Sequence, residues 1–477
     1  MTIPEKIAIR DYQSDAYSNW VDNNFSGLLA MATGTGKTIT ALNIVFREYE
    51  NMRKRNPDYA SHILILVPTQ PLLEQWTSEI YPWGLNSVYE VSGKTDWKSQ
   101  LQTLASDFEF GIDSEFVIIA TYRSFTNEYF QNILKRLPND TILIADEAHN
   151  IGQLKVRQLL SKFPFDRRIG LSATPRRIYD PVGTAEMENF FNDSEPYTFS
   201  LFMDEAIKLG NLCQYEYYPI LVELEQDELD QYVDITLKIV RFSSKQGTDD
   251  EKQILEKLLL KRKRIVDKAK GKLKALSIII DELIDKYQKI EYCFTYVPPG
   301  EWEDEETAVD KESIRIIRQM QKMFDQRIPN IRTHVYLGET KNRKQVLQGF
   351  ENGDIDVLLA INCLDEGVNV PRTGIGIFTS STGNPRQFIQ RRGRLLRNHI
   401  DKDRAVIYDM VVIPKINLKS KEKDFSVIQR NLVKNELMRV GYFAKLSQNF
   451  YDTKNALNEV CEFYQLDLDT IISELER

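Results

Sequence analysis

An α/β chain built on two parallel sheets is what the sequence predicts, and three observations carry that prediction. First, 63–67 (Ile-Leu-Ile-Leu-Val), 116–120 (Phe-Val-Ile-Ile-Ala), 142–144 and 169–171 are apolar runs separated by helical stretches. Strands that are apolar at every position are buried on both faces, as in parallel sheets covered by crossover helices. Second, the pattern recurs at 292–296, 334–337, 357–361, 375–378 and 405–408, after a charged helical interval near 226–268. Third, the last part of the chain changes to helical spacing, with Ile428, Leu432, Leu437, Val440, Phe443 and Leu446 on one apolar stripe. The chain therefore reads as a first domain over 1–215, a second over 216–412 with a helical, basic insertion at about 226–268, and a helical C-terminal extension over 413–477.

Composition bounds the function. The 477 residues are 42% hydrophobic, enough for two or three cores, and no apolar run approaches the roughly eighteen residues that cross a membrane. The start, Met1 to Lys6, lacks the charged and apolar regions of a signal peptide, so the expectation is a cytoplasmic chain without membrane attachment. Cys213, Cys293, Cys363 and Cys461 are scattered without metal-ligand spacing, which argues against zinc and for buried free thiols. The four histidines (His62, His149, His334, His399) show no nuclease-like spacing, so DNA cutting would need a partner. The net charge of -8 is unevenly spread. Acid gathers at 298–306, which reads as an exposed loop. Base gathers between Lys257 and Lys274, and reads either as a helical hairpin that tracks a phosphate backbone or as a solvated coiled segment.

The chemistry-bearing elements follow the strands. Met31-Ala32-Thr33-Gly34-Thr35-Gly36-Lys37-Thr38 comes after the apolar run Leu28-Leu29-Ala30 and before a helical pattern. In such a loop the glycines let backbone N–H groups face phosphate, Lys37 neutralises its charge and the Thr38 hydroxyl ligates Mg²⁺. Met31 stands where the strict pattern has glycine, so the match is to the shorter A-x-T-G-x-G-K-T form. The strand-like run 141–145 ends in Asp146-Glu147-Ala148-His149. Adjacent carboxylates there suit ATP hydrolysis, with Asp146 on the metal and Glu147 polarising the attacking water. Ligands of such sheets sit at the carboxyl ends of strands, where 34–38, 68–70, 121–122 and 146–147 all fall.

These ordered motifs resemble superfamily-2 helicases and translocases of the DEAH type over about residues 7–412. The resemblance implies two tandem RecA-like domains and assigns roles. Arg10 and Gln13 would recognise adenine, and Thr33, Gly34, Thr35, Gly36, Lys37 and Thr38 would bind ATP. Thr38 and Asp146 would hold Mg²⁺, with Glu147 catalytic. His149, Ser172 and Thr174 would couple hydrolysis to movement, the two hydroxyls hydrogen-bonding the acidic strand end. Residues 387–397 are similar to the family's Q-x-x-G-R-x-x-R element. There Gln390, Arg394 and Arg397 would act catalytically, the arginines as fingers sharing one helical face. Asp365 and Gly367 would sense nucleotide, and ATP would sit between the two domains.

Nucleic acid would be held by Pro68, Gln70, Thr121, Tyr122, Gly338 and Thr340. Ile361, where RNA helicases often carry a phosphate-contacting Thr, and Asn369, where Asp is frequent, depart from the family's common patterns. The motifs look most like restriction-enzyme motor subunits, XPB-like translocases and phage-defence helicases, so DNA is favoured over RNA. The expectation is an ATP-dependent DNA helicase or translocase; an RNA helicase and a nucleotide-gated clamp that recruits partners are the alternatives. The C-terminal stripe reads as packing on its own domain or as a docking surface for a partner such as a nuclease.

Overall fold

The computed structural model describes every residue except 94, 178–179, 244–248, 298–310, 339, 362–369, 380–384, 417–424 and 476–477. The acidic stretch 298–306, Asp365 and Gly367 lie outside the described residues. The chain divides into two compact units, Met1–Asn211 and Leu212–Arg477. Among the described residues no helix is long and apolar enough to cross a membrane.

The first unit contains strands β1 (Ser26–Met31), β2 (His62–Val67), β3 (Val88–Val91), β4 (Phe116–Thr121), β5 (Ile142–Asp146), β6 (Arg168–Ser172) and β7 (Phe199–Leu201) in one sheet, ordered β3-β4-β2-β5-β6-β1-β7. All its pairings are parallel, and β1, β2 and β5 are buried at every residue. Helices cover such strands, which explains the unbroken apolar runs. Register places the ends of neighbouring strands side by side: Ala30 opposes Ser172, Asp146 opposes Leu171, Leu66 opposes Ala145 and Val67 opposes Thr121. Every polar motif of this unit thus emerges from one edge of the sheet.

The second unit holds β8 (Gln214–Leu224), β9 (Cys293–Val297), β10 (Thr333–Tyr336), β11 (Val357–Ile361), β12 (Ile375–Phe378) and β13 (Arg404–Pro414), ordered β10-β11-β9-β12-β13-β8, again all parallel. Strand β8 escapes a search for continuous apolar runs. As an edge strand it alternates buried Tyr215 and Tyr217 with more exposed Gln214 and Glu216. Cys213 and Cys293 are buried free thiols and Cys461 is half-buried.

Helices Gln226–Ser243 and Asp249–Asp267 occupy the interval 226–268 and pack against each other. Within the basic run to residue 274, Lys270 and Lys274 are exposed but Lys272 is turned inward. Lys272 lies in the next helix, Gly271–Tyr287, where it is buried and donates to the Asp267 carbonyl at 2.8 Å. Burial of this ammonium lowers its pKa to about 8.

The apolar stripe of the C-terminal extension is covered by its own unit. Helix Val427–Ala444 begins at a Ser426–Gln429 capping box and buries Leu432, Val433, Leu437, Val440 and Phe443. Its Arg439 Nε donates to Asp409 of β13 at 3.0 Å, and Nη2 donates to Glu436 at 3.0 Å. Those side chains are buried inside the unit, which is the first of the two readings of the stripe, packing on its own domain.

Candidate nucleotide site and the loops beside it

The loop after β1 has the conformation that anion binding demands. Gly34 (φ +94°) and Gly36 (φ +84°) are left-handed, and a Cβ on Gly36 would stand 3.3 Å from Gln13 Nε2. Lys37 and Thr38 open helix Lys37–Arg55, whose first turn has no acidic residue, so its free N–H groups and positive end face the loop. Thr35 is turned inward: its hydroxyl donates to the Ala32 carbonyl at 2.7 Å, and its own carbonyl accepts from Tyr12 at 2.5 Å. Its side chain shapes the loop. Thr33 Oγ1 is buried without a hydrogen-bond partner.

Gln13 is 2% exposed. Its Oε1 accepts from the Arg10 backbone N–H at 3.0 Å and its Nε2 donates to Thr40 Oγ1 at 3.2 Å. One end of the amide caps its own helix, Asp11–Asp22, and the other ties that helix to the phosphate-loop helix. Arg10 is exposed and donates to Tyr12 and Asn211.

Asp146 and Glu147 differ sharply despite being adjacent. Asp146 is 8% exposed, and burial, with Glu147 adding, raises its carboxyl pKa to about 6; Lys37 and the Trp76 bond pull the other way. Glu147 adopts left-handed φ +48°, uncommon for a non-glycine residue and frequent at functional sites. That backbone is held by the Asn150 N–H and side-chain amide, each 2.9 Å from the Glu147 carbonyl. Its carboxylate lies 3.9 Å from Lys37 Nζ and 3.5 Å from His149 Nδ1. The site thus gathers an ammonium, a carboxylate and an imidazole at the loop.

Thr38 and Asp146 offer a hydroxyl and a carboxylate, hard oxygen donors that suit Mg²⁺ completed by water and phosphate oxygens. The left-handed glycines leave a cradle free of side chains for the phosphates. Among the described residues no group of three His, Cys, Asp or Glu is gathered to hold a metal unaided.

Ser172 is buried and its Oγ accepts the Thr174 backbone N–H at 3.2 Å. The acidic strand end is reached by Arg177, which donates to the His149 carbonyl at 2.9 Å and to Asp180 at 3.0 Å. Arg177 carried no motif signal, since a second arginine after Ala-Thr-Pro reads as solvated.

Of the expected nucleic-acid contacts, Pro68 and Gln70 are half-buried where β2 passes into helix Gln70–Ile80. Thr121 caps the short turn Tyr122–Phe125 through a bond from Ser124 N at 3.1 Å. Tyr122 is 4% exposed and gives its hydroxyl to the Asp146 carbonyl at 2.9 Å. Its side chain belongs to the interior, a correction to its reading as a surface contact. Trp76, absent from the sequence reading, donates its indole N–H to Asp146 Oδ2 at 2.9 Å. In the sequence it is one member of the helical stripe Leu73, Trp76, Ile80, and nothing joins it to a residue seventy positions on.

In the second unit, helix Pro385–Leu395 carries the arginine-rich element. Arg391 is buried over the Tyr296 ring, and Arg392 is buried against the Tyr215 hydroxyl and the Tyr442 carbonyl. Gln390 and Arg394, four residues apart, share another, half-buried face. Arg397 is not on that helix, which ends at Leu395. Cys213 N–H takes the Leu396 carbonyl at 2.8 Å and Arg397 bridges Leu212, drawing the chain out of the helix. Gly338 lies in a turn after β10, and Thr340 Oγ1 accepts the Leu337 N–H at 2.7 Å.

Residues 6–177 match the family described as type III restriction enzyme, res subunit, and residues 289–399 match the helicase conserved C-terminal domain. The chain is 27% identical over 415 residues to a DNA 3'-5' translocase XPB2 of Sulfurisphaera tokodaii, covering 85% of this chain and 82% of that protein. It is 28% identical over 228 residues to the type I restriction enzyme EcoAI endonuclease subunit of Escherichia coli, covering 45% of this chain and 24% of that one. Among solved structures, a DNA-bound ATP-dependent Type ISP restriction-modification enzyme, LlaBIII, superposes with a TM-score of 0.59 at 19% identity. That match covers 92% of this chain and 30% of the other, and at this identity it shows the fold.

Proposed function

We propose that this chain, which belongs to the superfamily-2 helicases and translocases, is an ATP-dependent DNA motor coupling hydrolysis to movement along duplex DNA. The observation that carries the reading is Glu147, held in a left-handed backbone 3.9 Å from the phosphate-loop lysine Lys37. A module that only binds nucleotide has no use for a carboxylate in that place.

In this reading the backbone N–H groups of 34–38 and Lys37 bind the β- and γ-phosphates. Thr38 and Asp146 hold a divalent cation, which when bound neutralises phosphate charge. Glu147 polarises a water for in-line attack on the γ-phosphorus; the bond from that phosphorus to the ADP oxygen breaks, leaving ADP and phosphate. His149, 3.5 Å from Glu147, orients its carboxylate. Arg394 and Arg397 serve as arginine fingers, an effect worth about 10³ to 10⁵ in rate in related chemistry. Gln13 and Arg10 favour adenine by setting the shape of the loop's flank. Gln70 and Thr121, at the carboxyl ends of β2 and β4, face the DNA backbone. Resemblance to a DNA 3'-5' translocase and to restriction-enzyme subunits supports DNA over RNA.

The test is steady-state ATP hydrolysis by the purified chain with duplex DNA, single-stranded DNA, RNA or none, with Glu147→Gln as the blank. Duplex DNA is expected to stimulate turnover most. Stimulation by RNA alone, or no stimulation by any polymer, would overturn the reading.

A further inference from the structure

Two elements that begin at the candidate DNA loops end on one residue of the nucleotide site. Helix Gln70–Ile80 starts at Gln70 and, two turns on, presents Trp76, which is 1% exposed and donates to Asp146 Oδ2 at 2.9 Å. The turn capped by Thr121 begins with Tyr122, whose hydroxyl donates to the Asp146 carbonyl at 2.9 Å. The remaining carboxylate oxygen, Oδ1, accepts the Glu147 N–H at 2.9 Å. One bond to each oxygen fixes the plane of the carboxylate and leaves a lone pair on each for a metal or its water.

A buried indole commonly finds some acceptor. Here the acceptor is the carboxylate assigned to the metal, and a second buried donor from a separate element converges on the same residue. The helix carrying Trp76 is itself fixed along its length. Leu73 and Ile80 are fully buried, and Thr77 Oγ1 donates to Glu90 of β3 at 2.9 Å. A displacement at Gln70 would therefore be carried as a rigid shift to Trp76 rather than absorbed locally.

We propose that Trp76 and Tyr122 are positioning residues that join the DNA-binding loops to the metal-holding Asp146, so that duplex DNA at Gln70 and Thr121 tightens the Mg²⁺-bound nucleotide. The link rests on the motor reading above. It is reciprocal: whatever factor DNA adds to the affinity for Mg²⁺–ATP, Mg²⁺–ATP adds to the affinity for DNA. Groups that orient a metal ligand typically contribute about 10- to 100-fold to metal affinity. Tyr122 acts on the backbone and Trp76 on the carboxylate itself, which makes Trp76 the larger contributor.

The experiment uses the full chain in a Glu147→Gln background, so that hydrolysis is slow on the timescale of the titration, and titrates a fluorescent ATP analogue with Mg²⁺ or EDTA, with and without duplex DNA. Trp76→Phe is expected to weaken Mg²⁺-dependent nucleotide binding about tenfold and to abolish the tightening by DNA. Affinity in EDTA and direct DNA binding should be unchanged, a split that loss of packing alone would not produce. Tyr122→Phe, which removes only a hydroxyl, should move the same readouts in the same direction by a smaller factor, and it decides the matter if Trp76→Phe does not fold. If the folded variants keep the parent's Mg²⁺ dependence and DNA effect, the link is overturned while the motor reading stands. If the parent itself shows no DNA effect, the coupling to DNA falls, while the motor reading is decided separately by the hydrolysis experiment.

Discussion

Asp146 in the first unit and Asp409 in the second are both buried at strands of parallel sheets, yet their surroundings differ in kind. Asp146 faces Glu147, has no guanidinium beside it among the described contacts, and is pushed up to about 6 chiefly by burial. Asp409 accepts from Arg439 Nε at 3.0 Å and from the Tyr217 hydroxyl at 2.8 Å, while Glu436 takes the remaining face of Arg439. The second unit binds its buried carboxylates directly to one guanidinium. In the first, Asp146 takes its bonds from neutral donors, the Trp76 indole and the Glu147 N–H, and the Lys37 ammonium lies 3.9 Å from Glu147. Buried charge thus anchors a helix in one sheet and gathers at a strand end beside the glycine-rich loop in the other.

The contrast breaks most sharply if charge in the first unit proves structural. Glu147→Gln should lower kcat for ATP by about 10³ and leave ATP binding and the melting temperature near the parent's. A large fall in melting temperature would mean that Glu147 supports the fold. Arg439→Met tests the opposite side. Leaving Asp409 and Glu436 without their cation should destabilise the second unit by about 3–5 kcal/mol, seen as an earlier denaturant transition, whereas ATP binding to the first unit should persist. Adding Asp409→Asn and Glu436→Gln to Arg439→Met should recover most of that loss, because the uncompensated charges go with it. A smaller effect sharpens the picture of the phosphate loop. Gly36→Ala imposes φ +84° on a side chain that also meets Gln13, at a cost of about 1–2 kcal/mol. Thermal unfolding of the first unit should show it, with weaker ATP binding alongside.

Much of the site was legible from residue order. Gly34, Gly36, Lys37 and Thr38 are identifiable because their chemistry depends on a local turn, and a turn is encoded by neighbours in sequence. Asp146 and Glu147 are legible for the same reason, as a polar pair closing an apolar strand. The inward turn of Tyr122 was not, because Thr-Tyr after a strand reads equally as a surface pair. Arg397 was assigned to a helical face by spacing alone, and its pairing with Leu212 depends on a segment far away in the chain.

The sequence by itself determined the parallel strands, the phosphate loop and the acidic strand end, since each follows from periodicity or from adjacent residues. Only the tertiary structure decided that Trp76 and Tyr122 meet at Asp146 and that Gln13 braces the loop helix. It also decided that Arg177 holds His149 and that the C-terminal stripe is covered by its own domain. Those contacts join residues tens to hundreds of positions apart. They are set by strand order and register, which place Val67, Thr121 and Asp146 along one edge and which no local pattern records.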